Sequence, residues 1–334
     1  FQSKKDYSLR RSMTQNGNIW VAEDCQTQRV IGGICISEKR LRVNGEERVV
    51  YYPFDAVVDP RYRRGRVLKR LTDMVTEVYL DNQVLRPLLY TSTAIHNGNM
   101  STYYNNSVMK QMVEQVQHAW KVSAPIVVMD SKSNPKVTIW KERNPDIVIE
   151  KFKEYFKSYE MVPIEMEDLL LNKFWRYTYF AQYKCDDQRV IEASISIWDQ
   201  NKVSKLVDMQ RDGVPMSASN FYQLFGCYTN EQGNDYPLLT ELLKTIHNEC
   251  HSMGIEYLFA GFSKTDPVER FFPLQPGLKS LPFLMHFCVS CEEDEAKIQE
   301  YRHRPFFNDP RDYGMLLLYS SNKKSKEDGG LLAK

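Results

Sequence analysis

The chain has 334 residues, 42% hydrophobic and 26% charged, a globular composition that excludes a disordered polymer. Its 44 basic and 43 acidic residues leave a net charge of +1, which excludes general nucleic-acid binding and makes any basic cluster a local feature. No stretch approaches 18 uninterrupted apolar residues, so no membrane helix is expected, and seven scattered cysteines read as reduced thiols of a cytoplasmic protein.

In chain order, residues 18–23 and 30–37 alternate or run apolar as strands do, and Asn44-Gly45 marks a hairpin turn. Residues 49–58 form a third strand. A helix follows over 67–79, with Val67, Leu68, Leu71, Val75 and Val78 on one face. Residues 87–92 read as a strand, 99–116 as at least partly helical, and 120–129 as a strand. The polar stretch 131–135 sets a boundary, placing one domain at 1–130 and a second at 135–320. Beyond it come a strand at 137–140, helices at 146–159 and 164–172, and strands at 174–183, 190–198 and 221–228. A helix at 237–253 and a strand at 255–262 follow, and a polar tail occupies 321–334. Each half thus offers strands, a long strand, a turn, an amphipathic helix and another strand. That order suggests a duplicated architecture.

The most informative stretch is VVDPRYRRGRVLKRL. Val57 and Val58 end a strand, four arginines (Arg61, Arg63, Arg64 and Arg66) surround Gly65, and a helix opens near Val67. The first N–H groups of a helix lack intrahelical partners and carry partial positive charge, so a basic turn there suits a polyphosphate. The turn Tyr228 to Tyr236 in the second half carries Glu231 and Asp235 with no basic residue, which excludes a phosphate by the same reasoning. Three other patterns have plainer explanations. His247 and His251 are four apart, but the intervening Glu is misplaced for a zinc protease, so they read as a helix surface. Cys288 and Cys291 form one C-x-x-C pair where a zinc site needs two, and no metal is expected. The aromatic run at 175–180 alternates as a half-buried strand does.

Val58-Asp59-Pro60-x-x-Arg63 resembles the acyl-CoA signature of the GNAT superfamily of N-acetyltransferases, and Asn97-x-x-Met100-x-x-x-Tyr104 looks like that family's Asn/Tyr helix. Two departures stand out: Arg66 and Leu68 occupy positions where the family usually has glycines, with Gly65 shifted by one. KVTIWKERNPD, DLLLNKF and NDPRDYG resemble the C-terminal half of HOOKLESS-type acetyltransferases of plants, which are similar to tandem acetyltransferases. The resemblance implies a tandem GNAT-like α/β fold with a mixed sheet flanked by helices in each half. It also implies a few dozen further residues upstream of Phe1. The cofactor implied is acetyl-CoA, and the activity an N-acetyl transfer to a primary amine of a small molecule or peptide. A bulge near the end of the splayed strand exposes amides. Pantetheine then pairs with Ala56, Val57 and Val58, and the pyrophosphate rests on Arg63, Arg64, Gly65, Arg66, Val67 and Leu68. Asn97 bonds the pantetheine or caps its helix. Tyr104 is the general acid, since a phenol stays protonated at pH 7. Asp55 is a candidate base, with His96 beside it in the reckoning. The Arg66 and Leu68 departures motivate an alternative, a non-catalytic acyl-CoA sensor.

Overall fold

The computed structural model describes residues 2–3, 13–14, 16–80, 88–95, 109–129, 134–201, 204–209, 215–233, 235–289, 296, 299–300 and 302–312. A short strand β1 (Gln2–Ser3) precedes a meander of β2 (Asn16–Asp24), β3 (Arg29–Val43) and β4 (Glu46–Val58). The β3–β4 turn uses Asn44 and Gly45, both at positive φ (52° and 76°), the conformation a type I′ hairpin needs. Helix α1 (Val67–Leu80) lays Leu71 and Val75 against Ile34, Ile36 and Leu89, and leads to β5 (Leu88–Ala94). Then come β6 (Lys110–Lys121), β7 (Val137–Glu142), α2 (Pro145–Tyr155), β8 (Val162–Pro163), α3 (Glu167–Leu170), β9 (Trp175–Lys184) and β10 (Val190–Asp199). A small hairpin of β11 (Ser204–Met209) and β12 (Pro215–Ser219) precedes β13 (Phe221–Thr229), α4 (Leu238–Ser252), β14 (Tyr257–Ser263) and β15 (Leu281–Val289).

Most of these strands form one mixed sheet of twelve. Its order is β2-β3-β4-β5-β15-β6-β14-β13-β10-β9-β7, with β8 paired to β3. The halves exchange strands at its centre. β15, from late in the chain, lies between β5 and β6, while β6 lies between β15 and β14. One sheet thus carries strands from both sides of the boundary read at 131–135.

Three elements differ from the sequence reading. Of the stretch 99–116 read as partly helical, residues 99–108 lie outside the described residues and 110–116 belong to β6, because Gln115, Gln117 and His118 find buried places in the sheet centre, where pairing on both sides outweighs weak β-propensity. Residues 122–129 leave that strand. The 164–172 helix shrinks to the four residues of α3. His247 is also no surface residue: it is buried, with Trp120 Nε1 donating to its Nδ1 (2.9 Å) and its Nε2 facing the Ala124 carbonyl (3.0 Å). No helix among the described residues is long and apolar enough to cross a membrane, and no group of three metal-binding side chains occurs among them.

The segment 302–312 returns to bind the first half. Lys39, on β3, is buried and pairs with Asp309 (3.0 Å) and with Asp312. Arg311 forks onto Asp309, and the Tyr90 hydroxyl donates to Asp312 (2.6 Å). Four charges of balanced sign, three of them on buried residues, thus clasp this segment to β3 and β5.

Candidate active site

The site starts where β4 and β5 part. Their parallel ladder has two pairs, Val50 with Leu88 and Tyr51 with Leu89. Pro53 explains the break. A proline has no N–H to give the next rung, and its carbonyl is met by a side chain, the Thr91 hydroxyl (3.1 Å). Beyond this bridge the strands are no longer paired. Burial falls along both: Pro53, Phe54, Thr91 and Thr93 are buried, whereas Ala56, Val57 and Ile95 are exposed. The strands thus part beyond Pro53 and Thr91, leaving a gap that opens toward exposed Ala56, Val57 and Ile95.

A β-bulge shapes its wall. On the β3 side, Val57 faces Gly33 and Phe54 faces Cys35, so Asp55 and Ala56 together oppose Ile34. Asp55 sits at φ 50°. Strict strand alternation, which would set Asp55 on the face opposite Phe54 and Ala56, therefore does not apply at this position. Gly32 matters for another reason. A Cβ there would meet Val67 Cγ1 at 2.9 Å and the Val57 carbonyl at 3.1 Å, so the glycine lets the start of α1 sit on β3.

The turn from β4 to α1 is held from within. Asp59 accepts from the Arg61 amide (2.9 Å) and from its guanidinium (2.7 and 3.1 Å), and these bonds pull its carboxyl down to about 2. The Tyr62 hydroxyl donates to Asp24 (2.7 Å), latching the turn to the β2–β3 hairpin. The Gly65 amide donates to the Tyr62 carbonyl (3.1 Å), and a Cβ at Gly65 would lie 3.0 Å from that oxygen. Arg61 is thus committed to the turn. Arg63, Arg64 and Arg66 are exposed, and among the described residues none forms an ion pair. Arg64 and Arg66 adopt positive φ (76° and 58°). Arg66, which replaces a usual glycine, therefore keeps a conformation glycine prefers. Alternation of this kind turns successive N–H groups outward as an anion nest. The helix ladder begins with the Arg70 amide on the Arg66 carbonyl (3.0 Å), so the amides of Val67, Leu68 and Lys69 precede it. Ala56, Val57, Val58, Arg63 to Leu68 and Asp55 thus lie along one strand–turn–helix. Asn97, Tyr104 and His96 lie outside the described residues.

The second half repeats this path with different contents. β13 and β14 are parallel over four pairs, from Phe221–Tyr257 to Leu224–Ala260. A bulge at Gly226 and Cys227 opposes Ile195, and Gly226 has φ 57°. Helix α4 begins as far beyond Gly226 as α1 begins beyond Asp55. Here the helix N-terminus already has an anion: the buried Glu231 carboxylate accepts from the Leu239 amide (2.7 Å) and the Thr229 hydroxyl (3.1 Å). Asp235 takes a two-point contact from Arg189 (2.7 Å each) and is pulled down to about 2. The parting strands are filled by Phe156, Tyr159, Phe306 and Phe307, which leave a small cavity against Gly226, Cys227 and Asp266. Sequence reading had noted the acidic turn but not that Glu231 folds back as a cap. It also missed Pro53 with Thr91, and Lys39, whose only signal was a lysine at a core-facing strand position.

No family model matches the chain, and no curated protein matches it. Among solved structures, a GCN5-related N-acetyltransferase from Anabaena variabilis aligns with a TM-score of 0.50 and 13% identity, over 86% of this chain and 67% of its own. A Saccharomyces cerevisiae N-myristoyltransferase with bound myristoyl-CoA aligns with a TM-score of 0.47 and 12% identity, over 80% of this chain and 68% of its own. The chain spans about two thirds of the length of these proteins. At such identities the likeness concerns the fold: a mixed α/β fold of the GCN5-related acyltransferase type.

Proposed function

We propose that the chain binds an acyl-CoA in the cleft between β4 and β5 and transfers the acyl group, in the simplest case acetyl, to a primary amine. The observation that carries this reading is the union of a proline-ended parallel ladder, a bulged strand and an arginine turn with open helix amides. In this reading pantetheine lies along Ala56, Val57 and Val58 as an added strand edge. The pyrophosphate rests on the amides from Arg63 to Leu68 and on the three uncommitted arginines. An amide at the bulge polarises the thioester carbonyl, a contribution of about 3 kcal/mol per donor in other acyl-transfer enzymes. The neutral amine attacks the carbonyl carbon, the C–N bond forms, and the C–S bond breaks. Tyr104 gives its proton to the leaving thiolate, Asn97 holds the pantetheine or caps its helix, and Asp55 is the candidate to receive the amine's proton. The second half, with Glu231 in the phosphate position, binds no CoA and supports the first as a degenerate copy of the same architecture. The described cysteines are free thiols, which suits a reducing cytoplasm.

The test is turnover of acetyl-CoA over a panel of amines, with Tyr104→Phe as control. The reading expects CoA release with at least one amine and a drop of two to four orders of magnitude, on the scale of about 10²–10⁴ for general acids, in the variant. Binding without turnover on every amine would instead favour an acyl-CoA sensor.

A further inference from the structure

We infer that the Thr91–Pro53 bridge is the floor of the acyl pocket and limits the donor to short acyl chains; this rests on the acyl-CoA reading of the cleft. A thioester held by the bulge amides at Ala56 or Val57 points its acyl group down the cleft toward Pro53. At about 3.3 Å per residue, the three or four residues from there to the bridge leave roughly 10 Å for the carbonyl and chain together. A myristoyl chain does not fit in that depth. Among the described residues, both faces of the sheet beside the bridge are covered, apart from a small cavity along Tyr90 and Ser92. On one face of the sheet, α1 packs Leu71 and Val75 over Ile34 and Ile36. On the other, the buried rings of Tyr52 and Phe54 stack 5.9 Å apart, and Tyr52 lies 4.8 Å from Tyr90. Below the bridge, the Tyr51–Leu89 pair closes the sheet. Among the described residues, Thr91 is the side chain that both spans the gap and ends it. The equivalent position in the second half needs no such bridge, because Leu224 still pairs with Ala260 there.

The experiment is calorimetric titration of wild type, Thr91→Ala and Thr91→Ser with CoA and with acyl-CoAs of two to fourteen carbons. Turnover is not needed. Wild type is expected to bind progressively tighter over the first few carbons, by about fourfold per buried methylene. Myristoyl-CoA should then bind no tighter than CoA itself. Thr91→Ala should move the optimum to longer chains, and Thr91→Ser, which keeps the hydroxyl, should restore the wild-type profile. CoA affinity and the unfolding midpoint of Thr91→Ser should match wild type. Myristoyl-CoA binding tenfold tighter than acetyl-CoA in wild type would overturn the floor while leaving the acyl-CoA reading intact. So would a profile that Thr91→Ala leaves unmoved. Failure of CoA itself to bind would remove both.

Discussion

The turn from β4 to α1 and the turn from β13 to α4 hold the same place between a bulged strand and an amphipathic helix, yet their electrostatics are opposite. The first presents Arg63, Arg64 and Arg66 around open amides, and its only acid, Asp59, is spent on Arg61. The second closes its amides with Glu231 and neutralises Asp235 with Arg189. The strand gaps differ in the same sense. Between β4 and β5 it opens toward exposed Ala56 and Val57; between β13 and β14 buried aromatic side chains close around a small cavity. The same strand–bulge–turn–helix path thus carries a candidate binding site in one place and a capped helix in the other. A few residues, rather than the fold, decide which.

The bulges should respond most differently. A Cβ at Gly226 would lie 2.3 Å from the Phe152 ring, at a φ of 57° that side chains rarely adopt. Gly226→Ala should therefore destabilise the protein by about 3 kcal/mol or more, read as a loss in denaturant midpoint. Asp55→Gly, at the matching position, should instead change stability by about 1 kcal/mol or less. Equal losses would mean that the two bulges are packed alike.

Asp266 lines the small cavity where β13 and β14 part. Burial pushes its carboxyl up to about 7, against the hydrogen bonds from Tyr159 (2.9 Å) and the Val268 amide (2.9 Å). The folded chain then holds a proton that the unfolded chain releases near 3.8. Stabilisation from this group is complete below about pH 4 and drains away as pH rises to 7. Relative to Asp266→Asn, wild type should lose on the order of 2–4 kcal/mol over that range. Parallel pH curves for the two proteins would show that the gap is wet rather than packed.

Neutralising the arginines should affect binding, not folding. Each of Arg63→Ala, Arg64→Ala and Arg66→Ala should weaken CoA about tenfold, with the effect shrinking at high salt. Glu231→Ala should have the smallest consequence, a loss of about 1 kcal/mol in stability from the missing helix cap, with CoA affinity unchanged.

Much of this was legible in the sequence because it is local. The arginine turn, the helix over Leu71 and Val75, and the acidic turn in the second half can be read from neighbours in the chain. Longer-range features were not. Residues 110–121 contain Val113 and Val116 at helical spacing, and only the strands on either side, one of them β15 from far along the chain, make them a strand. Lys39 looks misplaced until Asp309 and Asp312 arrive to meet it. Pro53 went unread because the rung it cannot make, and its partner Thr91, exist only once β5 lies beside β4. Arg66 read as a departure from a glycine pattern, whereas its backbone keeps the glycine-like φ of 58°.

The most direct test of the contrast between the halves is the stoichiometry of CoA binding by calorimetry, in wild type, Arg64→Ala and Glu231→Gln. The account predicts one CoA per chain, weakened about tenfold in Arg64→Ala and unchanged in Glu231→Gln. Two CoA molecules per chain, or a single one lost with Glu231 and indifferent to Arg64, would contradict it.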